Sequence, residues 1–202
     1  MNQKVRFLVQ FAILAAIEAI FCFTPLGSLP AFGPIVATLA MIPVILTGLL
    51  LGTGAGTAMG ALAGCFSFLV WTFGPLAAYP TAFVFSPVIS GHFGSLLICF
   101  VPRILVGTAA GALYKLFSKT MPKKNYLGMV IASFAASMVN TIGVMGGIWI
   151  FFGSQYSSVV GKSILLIIGT TVLTSGIPEA VVSAVLCPAA CKSVNAALKK
   201  RV

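Results

Sequence analysis

The sequence predicts an all-α polytopic membrane protein, a six-transmembrane-helix bundle with both termini in the cytoplasm, and three observations predict it. Its 202 residues are 59% hydrophobic and only 7% charged, whereas about a quarter of an ordinary soluble domain is charged. Each membrane span takes roughly 20 to 25 apolar residues, so the length accommodates about six spans and no separate soluble domain. Residues 1–202 are therefore expected to form a single integral membrane domain. Finally, ten of the twelve cations gather at three places: Lys4 and Arg6, then Lys115, Lys119, Lys123 and Lys124, then Lys192, Lys199, Lys200 and Arg201. The positive-inside rule puts all three places on the cytoplasmic side, which demands an even number of spans between each pair. That placement, at net charge +10, uses the cations for topology and for the bilayer's anionic headgroups, and excludes a nucleic-acid surface. The eleven prolines and twenty-one glycines favour membrane helices, which tolerate both, over a porin-type barrel.

The first span covers about residues 7–25. It reads as an uncleaved helix, because the basic start lacks a small-residue cleavage site and Cys22 follows Phe21 in place of the small residue that precedes a lipid-modified cysteine. Residues 26–34, with Gly27, Pro30, Gly33 and Pro34, form an outside loop. A second span over about 35–51 is interrupted by Pro43, and a tight turn at Gly52–Gly56 opens the third, about 56–73. Residues 74–91, with Pro75, Pro80, Pro87 and several aromatics, read as a long outside loop before the fourth span, about 92–116. Lys119–Lys124 is the inner loop. The fifth and sixth spans, about 126–152 and 163–190, are joined outside by Gly153, Ser154, Gln155 and Tyr156. Four spans before the inner loop and two after it satisfy the parity. Glycines 48, 52, 56, 60 and 64, with the pairs Gly107/Gly111 and Gly143/Gly147, stand four apart and predict close helix packing within the bundle.

The inventory of reactive groups is sparse. Five cysteines without a CxxC pair and one histidine, His92, support neither zinc nor a disulfide framework. Gly161-Lys162-Ser163 imitates the end of a phosphate-binding loop, but Tyr156 stands where that loop needs a glycine. No metal, cofactor or enzyme activity is expected. Glu18 and Glu179 are the only acids, and both fall inside predicted spans with Arg103. A charge there costs about 2.5–3.5 kcal/mol on insertion scales, so each needs a partner or a wet cavity. Arg103, Asn140 and Glu179 lie close to the middle of the fourth, fifth and sixth spans and share a layer. They serve either as an Arg103–Glu179 pair tying helices together or as the floor of a small-molecule cavity. Above them Trp71, Tyr79, Gln155 and Tyr156 are candidates to close a pocket, with Tyr79 in a segment long enough for a lid, whereas Trp149 and Phe151 read as interfacial belt. Thr38 near Pro43, and Ser175-Gly176 before Pro178, mark weak places in two helices. On the first helix Ala12 with Ala16 and Ala15 with Ala19 form a smooth strip, suited to internal packing or to docking a partner.

These residues resemble the substrate-binding S components of energy-coupling-factor (ECF) vitamin transporters. The likeness runs over nearly the whole chain: the alanine strip, the segment from Ile35 through Pro43 to Gly52–Gly56, Pro102–Gly107, Asn140 followed by Gly146-Gly147, and Gly176–Ala180. The resemblance implies a non-enzymatic subunit of the bacterial-type plasma membrane that captures a vitamin from outside. It further implies partnership with a transmembrane coupling subunit and two ATPases, and a whole-molecule toppling that releases ligand inside. By position, the alanine strip would meet the coupling subunit. The pocket would use residues 26–34 and 74–91 with the outer halves of helices four to six. The chain looks most like the pantothenate type, with Arg103 on the carboxylate, Asn140 on the amide or hydroxyls, and Glu179 orienting Arg103. Riboflavin, hydroxymethylpyrimidine or a folate are the alternative ligands, and a stand-alone proton-coupled transporter using Glu18 and Glu179 is the alternative mechanism.

Overall fold

The computed structural model describes residues 2–24, 28–29, 37–120 and 125–199. It is all-helical apart from one two-residue strand pair. Five of its helical segments are long and apolar enough to cross a membrane: Gln3–Phe23, Thr53–Phe73, Gly94–Thr120, Asn125–Val160 and Ile164–Ala196. Helix α1 (Gln3–Phe23) begins where the Asn2 side chain accepts a hydrogen bond from the Lys4 backbone N–H, satisfying one of the donors a helix start leaves open. Strands β1 (Ser28–Leu29) and β2 (Ala37–Thr38) pair antiparallel, Ser28 opposite Thr38. The rest of the predicted 26–34 loop, with Gly27, Pro30, Gly33 and Pro34, lies outside the described residues, as do Lys123, Lys124, Lys200 and Arg201.

The second span differs from the expectation. Helix α2 is only Met41–Leu51, 11 residues, a rise of about 16 Å against a hydrocarbon core of about 30 Å. Pro43 does not interrupt it. The proline sits in the first turn, where the missing N–H would have had no helical acceptor in any case. Gly52, at φ 92, makes the sharp turn into helix α3 (Thr53–Phe73), a left-handed geometry that favours glycine. Residues 74–91 are also more ordered than a loop. They form two 3₁₀ turns, Pro75–Ala78 and Ala82–Val84, and a short helix α4 (Pro87–Ser90) capped by the Ser86 hydroxyl.

Helix α5 (Gly94–Thr120) and helix α6 (Asn125–Val160) complete the centre. At 36 residues, α6 would rise about 54 Å and outruns the hydrocarbon core at one end. The outer connection expected at Gly153–Tyr156 is instead helical: α6 kinks at Phe152 and continues for two more turns, ending at Gly161, where φ is 71. The apolar face persists through the kink because Phe152 and Tyr156 both pack on Phe83. The last span is three pieces, α7 (Ile164–Thr171), a π-turn at Val172–Gly176, and α8 (Ile177–Lys199).

Small residues set how these helices meet. A side chain at Gly56 would collide with the Gly107 backbone, one at Gly60 with the Arg103 and Ile104 backbone, and one at Gly48 with Gly107 and Gly111. Helices α3 and α5 therefore touch backbone to backbone, and Thr57 and Thr108 share a hydrogen bond of 2.8 Å across the seam. Gly143 and Gly147 of α6 leave room for the Pro102 and Ile98 side chains of α5. The spacing of four works as internal packing.

Two apolar clusters result. One joins Leu14, Val44, Ile45, Met59, Val106, Ala136 and Cys187; the other joins Phe83, Phe85, Ile98, Val144, Ile148, Tyr156 and Ile167. Along α5 and α6, Arg103 and Asn140 fall between a residue of one cluster and a residue of the other, and Glu179 does so along the last span. The polar layer lies where the oily core is divided.

Candidate functional site

The site is organised by the dipeptide Pro102-Arg103 inside α5. Proline carries no N–H, so the Ile98 carbonyl, four residues earlier, loses its helical donor. Arg103 replaces it: Nη1 donates to the Ile98 carbonyl at 3.1 Å. The guanidinium carbon also stands 5.4 Å from the centre of the Phe85 ring, a cation–π distance that strengthens where water is excluded. Arg103 is only 7% exposed. A guanidinium has five N–H donors in a rigid fork, and the one hydrogen bond to Ile98 leaves most of that fork for what enters the neighbouring hollows.

Two hollows meet at Arg103 and Trp71. The larger, about 280 Å³, is walled by Glu18, Met41, Ser67, Trp71 and Tyr79 as well as Arg103. This lies just below the range of roughly 300–1,000 Å³ typical of small-molecule sites. The smaller, about 60 Å³, is bounded by Asn140, Thr141, Thr171, Ser175 and Glu179 together with Phe85, Trp71 and Arg103. The structure thus brings Arg103, Asn140 and Glu179 together across α5, α6 and α8. It also places a hollow beside the cation. The π-turn falls at Ser175-Gly176, the weak place expected before Pro178, and widens the last helix where it faces this hollow. Gly176 lets that turn press on Thr141 of α6, since a side chain there would strike the Thr141 methyl.

Three polar atoms on the small hollow, Asn140 Oδ1, Thr171 Oγ1 and Ser175 Oγ, are buried without a hydrogen-bond partner among the described residues. Leaving a buried acceptor or donor unmatched costs about 1–3 kcal/mol. Such a cluster is what a polar ligand or ordered water would satisfy. An aromatic stack continues the wall outward: Trp71 lies 4.8 Å from Phe85 and 6.4 Å, edge-on, from Tyr79. Tyr79 is half exposed in the segment between the two 3₁₀ turns.

Sequence reasoning missed the wall supplied by α1. Glu18 has no exposed surface and lines the larger hollow together with Arg103. Its depth in an apolar helix was the available signal. Thr171 was also unmarked, and Phe85, one of the loop aromatics read from sequence as able to close a pocket, lies under the guanidinium. Gln155 and Tyr156 do not reach the site. Gln155 is exposed beyond the Phe152 kink of α6, and Tyr156 is buried with its ring 6.4 Å from Phe83. Neither lines either hollow. Trp149 and Phe151 face outward from α6.

The alanine strip divides by register. Leu14 and Glu18 are the buried residues of α1, Ala15 packs against the core and Ala19 is half-buried, whereas Ala12 and Ala16 are exposed.

Residues 6–190 match the model of the family described as the substrate-specific component of ECF transporters. The chain belongs to that family. It is accordingly an S component: a multi-pass subunit of the bacterial plasma membrane that serves transport and does no catalysis of its own. Family membership implies association with an ECF module. The chain is also similar to the pantothenic acid transporter PanT of Lactococcus lactis subsp. cremoris (strain MG1363), 35% identical over 168 residues, which span 80% of this chain and 81% of that protein.

Proposed function

We propose that this S component captures pantothenate from outside the cell. The observation that carries the reading is the Arg103 fork, braced by Ile98 and Phe85, facing a hollow while Asn140 Oδ1 waits unmatched beside it. Pantothenate offers a carboxylate for two parallel N–H···O bonds from the fork and an amide N–H that suits Asn140 Oδ1. Glu179, on the same hollow, orients the guanidinium. Trp71 and Tyr79 cover the apolar body of the ligand. The similarity to a pantothenic acid transporter supports the same ligand. Gln155 and Tyr156 are left out of this contact set because of where they lie.

The bound form is delivered by docking on a coupling subunit with two ATPases. Of the two alanine pairs, Ala12 and Ala16 form the docking face, because they are the exposed pair on α1 and small residues let helix backbones approach closely. In this reading the whole chain is one membrane domain, and the three clusters of cations hold both termini in the cytoplasm.

The test is a titration of the purified protein with pantothenate, followed through tryptophan fluorescence, since Trp71 borders both hollows. Saturable binding without ATP is expected. No response to pantothenate, together with a response to riboflavin, hydroxymethylpyrimidine or folate, would reject the ligand and keep the class.

A further inference from the structure

Glu18 is the one carboxylate on the larger hollow, and half of it is unused. Its Oε1 accepts a hydrogen bond from the Cys22 thiol at 3.3 Å. Its Oε2 is buried with no hydrogen-bond partner among the described residues. The side chain has no exposed surface, yet it walls the same hollow as Arg103, Trp71 and Tyr79. An unmatched carboxyl oxygen is an acceptor, and in a water-poor interior leaving it empty is costly.

We infer that Glu18 Oε2 is a specificity-determining acceptor that receives a hydroxyl proton of the ligand, so that α1 helps to form the binding site. The inference rests on the pantothenate reading above. It adds the residue that recognises the end of the ligand away from Arg103. The choice of hydroxyl over amide follows from what the other groups already take. Arg103 holds the carboxylate and Asn140 Oδ1 the amide N–H, so the donors left for Glu18 Oε2 are the hydroxyls, which in pantothenate lie at the end farthest from the carboxylate. A ligand carrying an anion at one end and hydroxyl donors at the other is then matched by a cation and a buried acceptor on one hollow. A simple fatty acid of similar length satisfies Arg103 but leaves Oε2 bare, which supplies discrimination through an unsatisfied group.

The experiment compares pantothenate with an analogue in which both hydroxyls are replaced by hydrogen, each titrated into the purified full chain. Leaving a buried acceptor unmatched corresponds to roughly a ten- to hundred-fold preference for pantothenate in the wild type. In Glu18→Met that preference is expected to fall to within about threefold, because the acceptor is gone for both ligands. Glu18→Gln keeps a neutral acceptor and should show an intermediate preference; it carries the test alone if Glu18→Met does not fold. A preference unchanged in the variants, with both ligands weakened alike, would overturn the role of Glu18 and leave the pantothenate reading intact. Absence of any pantothenate binding by the wild type would overturn that reading and this inference together.

Discussion

Arg103 owes its position to its neighbour in the chain. Pro102 strips the Ile98 carbonyl of its helical donor, and Arg103 bends back to fill the gap at 3.1 Å. Supplying an N–H at residue 102 therefore competes with the side chain. Pro102→Ala is expected to strengthen the helix yet weaken pantothenate about five- to ten-fold, the equivalent of roughly 1 kcal/mol of lost anchoring; a titration checks it. Arg103→Gln removes the charge itself and should weaken the ligand by a factor of about one hundred or more, read in the same assay with circular dichroism confirming the fold. Arg103, Asn140 and Glu179 were legible as a layer because a charge at mid-span needs a reason to be there. The side of α1 on which Glu18 faces was not. Helix rotation is set by packing, and the alternating alanines of α1 fit two rotations equally well.

At the scale of elements, α3 and α5 behave as one unit. Their backbones meet at Gly56–Gly107 and at Gly60–Arg103, so the cation and the Trp71 ring near the C-terminal end of α3 are held at a set spacing. Gly60→Leu must push α5 away. Loss of thermal stability by several degrees and loss of ligand binding are expected together, measured by melting in detergent and titration. Gly169→Ala is the contrasting change. This glycine lies in α7 with nothing within 4 Å of an added methyl, and the substitution should leave binding alone while adding about 0.5–1 kcal/mol of stability. Apolar runs bounded by cations made the long helices readable from sequence. Two differences have separate causes. Pro43 reads as an interruption but stands in a first turn, and Gly153–Tyr156 reads as a connection although Tyr156 keeps one face of α6 buried.

For the whole molecule, α1 is the least enclosed of the five long helices, with Leu14 and Glu18 its only buried residues. Its inner face carries the inferred ligand contact and its outer face carries Ala12 and Ala16. Ala16→Leu is expected to leave pantothenate affinity unchanged and to abolish uptake by cells that contain the ECF module; vesicle or whole-cell uptake set beside the titration separates the two. The all-helical, polytopic character was legible at this scale because long apolar runs are a global pattern, and five helical segments are long and apolar enough to cross a membrane. The π-turn at Val172–Gly176 has a comparative consequence. Such a turn holds one residue more than the α-helix around it, and each residue of an α-helix advances the chain by about 100°. A relative that runs straight through this point would be one residue shorter between Thr171 and Pro178. Aligning the two would open a single-position gap there, and deleting one residue of the turn in this chain would leave a plain α-helix that keeps Cys187 and Cys191 on the core they now fill.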